Sequence, residues 1–234
     1  MTVKPSDSLV DEGIPINTAI VSVSNKSGLE TFIPGLIEIR PNITIISTGG
    51  TYRALEGILG ESASEHLVQV SVYTGVPEML NGRVKTLHPK VHGGLLAERH
   101  HPDHPGELEA ALKGARFVDL AVVNLYPFEE TIAKAGATFR TAIENIDIGG
   151  PTMIRAAAKN FPSCAVLYDP EDYISFLEQV RANGGCTTFD QRLGLAGKVF
   201  KRTHQYDRAI DKYWEQAGSP DQVRPLYKFV GEEG

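Results

Sequence analysis

Asp147-Ile148-Gly149-Gly150-Pro151 runs straight into Thr152-Met153-Ile154-Arg155-Ala156-Ala157-Ala158-Lys159-Asn160. A proline fits the first turn of a helix, and the free N–H groups of such a start attract anions. Arg155 and Lys159 are four apart and share one helix face. The three alanines between them let the opposite face pack closely. An acid, a glycine turn and a cationic face together point to a site for a polar, anionic small molecule. A solvated helix with incidental charges fits the stretch equally well.

Gly82-Arg83-Val84-Lys85-Thr86-Leu87-His88-Pro89 is a second cationic block, rich in turn formers and read as a loop. Arginine offers a planar fork for carboxylate or phosphate, and lysine a point charge with an adjustable pKa. The two so close together suit a binding residue beside a catalytic one; alone, the block reads as a basic surface loop. Ser47-Thr48-Gly49-Gly50-Thr51 suits a phosphate, because glycines let the backbone approach while hydroxyls and helix N–H groups donate. It lacks the Walker lysine and the GxGxxG spacing, so neither a nucleoside triphosphate nor a nicotinamide dinucleotide is implied. His88 and His92, and His100, His101 and His104, form two groups, the second in an exposed-looking turn. No acidic or cysteine partner completes a ligand pattern, so no metal is expected. There is no nucleophile elbow. Lysine, tyrosine and aspartate remain, which suits proton transfer and oxyanion stabilisation.

These groups need a scaffold. Thr18 to Val23, Ile43 to Ile46, Leu67 to Val70, Val118 to Val123 and Cys164 to Tyr168 read as strands, and Tyr52 to Leu59 as a helix. Strand, turn and helix recur, so the expected class is α/β, a mainly parallel sheet flanked by helices, with a helical C-terminal part. Ser27 with Glu30 predicts a capping box, and Pro34 a kink or a shortened helix. Asp169-Pro170 predicts a helix start and Gly184-Gly185 its stop; Thr188 with Gln191 predicts another capping box. Leu193, Ala196, Phe200, Thr203, Tyr206, Ile210 and Tyr213 recur near helical spacing and read as core or subunit contact rather than a ligand site. In an open parallel sheet, ligands bind beyond the carboxyl ends of the strands. Three polar turns fall there: Ser24 to Gly28, Ser47 to Thr51, and Asn124 to Pro127.

The chain has 234 residues, enough for a real core. A net charge of -6 argues against a general nucleic-acid surface and leaves room for a local cationic pocket. Cys164 and Cys186 make no metal pair and no disulfide scaffold, which suits a reducing cytoplasm. The polar N-terminus does not read as a signal peptide, and no apolar run approaches a membrane span. Residues 1–17 read as a mobile lead-in, 18–216 as one domain and 217–234 as a tail.

SVSNKSG, STGGT, GRVKTLHPKVHGGLL, VVNLYPF, ENIDIGGPTMIRAAAKN and THQYDRAI occur in this order. From about Thr18 to about Trp214 the chain resembles the inosine monophosphate cyclohydrolase domain of the bifunctional purine-biosynthesis enzymes. The resemblance implies a methylglyoxal-synthase-like fold and dehydrative closure of 5-formamidoimidazole-4-carboxamide ribonucleotide to inosine monophosphate, with no cofactor and no metal. Lys85, Tyr126, Asp147 and Lys159 match that family's catalytic positions. Ser24, Lys26, Ser47, Gly49, Gly50, Thr51, Arg83, Thr86, Asn124, Ile148 and Gly149 match its ligand-contacting segments. A homodimer is implied, with no nucleic acid and no membrane. Nothing resembling the family's transformylase domain follows, so a stand-alone chain served by a separate formyltransferase is expected. Asn25 and Ser27 depart mildly from the family pattern. A phosphorylated-ligand-binding regulatory module and a methylglyoxal-synthase-like lyase are the alternatives on this fold.

Overall fold

The computed structural model describes residues 8–230. Its strands are β1 (Gly13–Pro15), β2 (Thr18–Ser22), β3 (Thr44–Ser47), β4 (Leu67–Gln69), β5 (Leu120–Val123), β6 (Ala165–Leu167) and β7 (Cys186–Thr188). β4-β3-β2-β5-β6 is a sheet in which every neighbouring pair is parallel. Its central strands read as unbroken apolar runs because both faces are covered: every residue of β5 is buried. Strand order reverses between β3 and β5 on either side of β2, and a crevice opens at such a switch point.

The helices that matter to that crevice are α1 (Leu29–Ile39), α2 (Gly49–Leu59), α3 (Pro89–Leu96), α4 (Phe139–Glu144), α5 (Gly149–Lys159), α6 (Tyr173–Ala182) and α7 (Phe189–Ala217). α5 packs on β5, β6, α3 and α7, and α1 on α2 and α6. The alanine face of α5 is buried with Met153 and Ile154, so the helix sits close to the sheet, as its composition predicts.

Several local expectations need correction. The later part of the expected lead-in belongs to the fold: β1 pairs antiparallel with β7, and Ile14 and Ile16 are buried. Residues 1–7 lie outside the described residues. Ser27 does not cap α1; Gly28, at φ +80, brings the chain in with no side-chain cap. Pro34 does not break α1, whose buried face of Leu29, Phe32, Ile33 and Leu36 runs through it. Both Pro34 and Glu30, whose carbonyl the proline leaves without its helical donor, are exposed, so water can serve that carbonyl. His104 opens a short helix, His104–Ala111, and its ring stacks on His101 at 3.7 Å. In α7 the buried stripe is Leu195, Ala196, Val199, Thr203 and Tyr206, while Leu193 and Phe200 are exposed. Asp169 caps as expected, its Oδ1 accepting from Glu171 N–H at 3.0 Å; the Thr188 box is half formed, the Thr188 hydroxyl accepting from Gln191 N–H at 3.2 Å while the Gln191 side chain does not bond back.

The foot of α7 is held by a buried arginine. Arg192 donates to the carbonyls of Phe161 (3.0 Å), Thr187 (2.8 Å), Glu12 (3.2 Å) and Asp11 (2.6 Å). One planar fork thus joins the segment leading into β1, the loop after α5, β7 and α7. An apolar replacement leaves these carbonyls without their donor. Arg192→Met is expected to destabilise the chain by about 3 kcal/mol or more, read as a melting midpoint lower by roughly 10 °C. A midpoint equal to wild type would show that the carbonyls find other donors.

Candidate active site

The carboxyl ends of β2, β3 and β5 open into a cleft of about 880 Å³, lined by Ser22, Thr48, Lys85, Asn124, Tyr126 and Asp147 among others. The three polar turns expected at strand ends meet there. Asn124, just past β5, holds the first turn in place. Its Oδ1 accepts from the N–H of Ser24 (2.7 Å) and of Asn25 (3.0 Å), and its Nδ2 donates to Asn25 carbonyl (2.9 Å). Thr51 does the same for the second turn: its hydroxyl accepts from Val23 N–H and donates to Val23 carbonyl, both at 3.0 Å. Asn124 and Thr51 therefore shape the cleft more than they offer free donors to it. Ser22 and Thr48 hydroxyls bond each other at 2.9 Å across β2 and the start of α2. No side chain caps α2, so its first N–H groups face the cleft beside Gly50 and Thr51.

Asp147 is the best-determined acid of the cleft. Its Oδ1 accepts from Gly150 N–H at 2.9 Å and its Oδ2 from Tyr126 N–H at 3.4 Å. Its own N–H donates to the Tyr206 hydroxyl at 2.8 Å, and burial pushes that phenol up to about 12, so it stays neutral. Burial also holds Asp147 above the ordinary carboxylate range, while these N–H groups and the nearby Lys85 charge pull it back. A carboxylate tuned upward beside a lysine suits a proton acceptor near neutral pH. Lys85 Nζ lies 3.9 Å from Glu78 Oε1. Tyr126 is about half exposed at the cleft edge (49%), and Lys26 is exposed, its ammonium 3.4 Å from Ser24 carbonyl.

The glycine pair is required by contact rather than by flexibility. A Cβ on Gly149 would meet Thr86 Oγ1 at 2.7 Å, and one on Gly150 would meet Asp147 Oδ2 at 2.4 Å. Thr86 is buried and Ile148 exposed, and both line the cleft.

Not every expected residue arrives. Ser47 is fully buried, and its hydroxyl donates to Val21 carbonyl at 2.8 Å, so it braces β3 on β2 and does not reach the cleft. Gly49 lies between the lining residues Thr48 and Gly50 without lining the cleft itself. Arg83 does line the cleft, but its guanidinium is engaged by Glu144, with Nε to Oε1 at 3.0 Å. Lys159 is exposed at the far end of α5, about 15 Å along the helix from Gly149, and does not join the cleft of its own chain. The cationic face of α5 also turns elsewhere: Arg155 lies 5.7 Å from the ring centroid of Phe200 on α7. Conversely, Glu78 and Trp214 line the cleft without having been expected there. Trp214 follows the aromatic stripe of α7, so that helix does contribute to the site; Glu78 carries no signal in its neighbours.

Gly150→Ala is therefore expected to cost about 1–3 kcal/mol, as overpacking does. Gly197→Ala on α7, where a Cβ meets nothing within 4 Å, should be neutral or slightly stabilising. Urea unfolding of both variants checks this; equal midpoints would mean that Asp147 moves aside freely.

A family model described as "MGS-like domain" matches residues 28–152, and one described as "AICARFT/IMPCHase bienzyme" matches residues 157–231. The "Bifunctional purine biosynthesis protein PurH" of Chlorobium phaeovibrioides is 49% identical over 206 residues, covering 88% of this chain and 38% of that protein. The protein of the same description from Chlorobium phaeobacteroides (strain BS1) is 52% identical over 198 residues, covering 85% and 36%. The chain thus spans less than two fifths of these relatives' length. A solved structure titled "Crystal structure of ForH" aligns with a TM-score of 0.67 at 34% identity, covering 83% of this chain and 96% of that one. The parallel sheet, the cleft at its switch point and these matches agree: the chain belongs to the MGS-like domain family, with the AICARFT/IMPCHase bienzyme family matched over its C-terminal part.

Proposed function

We propose that this chain is an inosine monophosphate cyclohydrolase of purine biosynthesis, closing the purine ring of 5-formamidoimidazole-4-carboxamide ribonucleotide with loss of water. The observation that carries this reading is the meeting of Lys85, Tyr126 and Asp147 in one cleft beside the uncapped start of α2. The bifunctional PurH relatives support it, since about half of the aligned positions are identical.

The substrate carries both reacting groups, so much of the acceleration comes from holding them in attack geometry. The carboxamide nitrogen attacks the formyl carbon and a C–N bond forms. Asp147 accepts a proton from that nitrogen, and the formyl oxygen becomes a hydroxyl. Lys85 and Tyr126 stabilise the oxygen while it carries negative charge and assist its protonation on departure. The formamido nitrogen then loses its proton, a C=N bond forms and water leaves. The first turn of α2, with Lys26, receives the 5′-phosphate. Lys159 has no part in this scheme within one chain. A formyltransferase must supply the substrate.

Mixing the purified chain with the formylated ribonucleotide, and following inosine monophosphate by chromatography, tests the reading. Rapid product formation is expected, with Lys85→Ala lowering turnover roughly 100-fold or more and affinity far less. Binding without product would instead favour a regulatory module. The rate should also fall with acidification through a pKa above the ordinary carboxylate value of ~3.9, because Asp147 accepts protons only when ionised. Lys85 lowers that pKa, so in the residual activity of Lys85→Ala the limb should move to higher pH. A limb that stays in place would separate the two groups.

A further inference from the structure

Glu78 brings negative charge into a cleft suited to an anion. Its carboxylate lies 3.9 Å from Lys85 Nζ with its side chain about half exposed (48%). Oε1 comes within 2.7 Å of where a Cβ on Gly82 would be, so the loop backbone, at φ +88 there, is shaped closely around it. Oε2 comes within 3.9 Å of the same point on Gly49, the first residue of α2. The carboxylate therefore lies between the basic loop and the uncapped helix start. The loop geometry holds it there. Met79 N–H bonds Val84 carbonyl at 3.0 Å, and Leu80 and Asn81 turn the chain at φ +54 and +55, which sets Glu78 and Lys85 face to face.

We propose that Glu78 is a built-in competitor for the ligand's phosphate: it neutralises Lys85 and the start of α2 until a phosphorylated ligand displaces it. This rests on the nucleotide reading above and adds a specificity device to it. A dianionic phosphate can displace a single carboxylate, whereas a neutral nucleoside or a weak monoanion gains little from doing so. Displacement also frees the Lys85 ammonium for the reacting oxygen at the moment the substrate arrives. Glu78 therefore lowers affinity for the phosphate and sharpens the choice of ligand.

Calorimetric titration of wild type and Glu78→Gln with inosine 5′-monophosphate and with inosine tests this. Glu78→Gln keeps the size of an exposed side chain, and equal melting curves check the fold. The variant is expected to bind the nucleotide about five- to tenfold more tightly at low salt, with inosine unchanged. That gain should shrink at roughly 0.5 M salt, where exposed charges are screened within a few ångströms. Equal affinities for the nucleotide would overturn the proposal while leaving the nucleotide reading intact. Weaker binding by Glu78→Gln would also overturn it, making Glu78 a group that holds Lys85 for the ligand. If neither protein binds the nucleotide, the cyclohydrolase reading fails and this proposal with it.

Discussion

The seat of the Asp147 carboxylate constrains everything around it. It is held by two backbone N–H groups, one from Tyr126 after β5 and one from Gly150 in the first turn of α5. That arrangement exists only while position 150 has no Cβ and position 149 leaves Thr86 its room. Three separate pieces of chain are thereby brought into register: the end of a central strand, the start of a helix and the basic loop. The same bonds set the chemistry, since burial raises the carboxylate's proton affinity and the N–H groups limit the rise.

α7 supports this seat from outside the sheet. At its foot Arg192 gathers backbone carbonyls from the segment before β1, the loop after α5 and β7. Further along, the Tyr206 hydroxyl takes the Asp147 N–H, and near its end Trp214 lines the cleft. The helix is thus a strut between the smaller two-stranded sheet and the cleft end of the larger one. The strut is rigid because its buried face is continuous and its tyrosine phenol has a fixed polar partner.

Much of this was legible in the residues. β-branched runs marked the strands, and polar turns fell at their carboxyl ends, so the location of the cleft followed from sheet topology. Through the family resemblance, the blocks RVKT, NLYP and DIGGP marked Lys85, Tyr126 and Asp147, and these meet. What failed depended on contacts distant in sequence. Ser47 belongs to a phosphate-like motif, yet its hydroxyl is taken by Val21 on the neighbouring strand. Lys159 lies twelve positions after Asp147 in an unbroken functional-looking stretch, but a straight helix carries it away from the cleft. Gly28 replaced the expected Ser27 cap because its positive φ brings the chain into α1 without one. Glu78 acquires meaning only once the loop folds it against Lys85.

The cleft wall is drawn from positions between Ser22 and Trp214, and the outer strand pair joins Gly13 to Thr188. Such a site is a property of the completed topology. Contacts this far apart close slowly, since loop entropy is lost before they reward it. α7, 29 residues and about 43 Å long, supplies both the tyrosine hydroxyl that receives the Asp147 N–H and the tryptophan in the cleft wall. The seat of the acid and the closure of the wall thus hang on one helix, so loosening α7 at its foot would disturb both together.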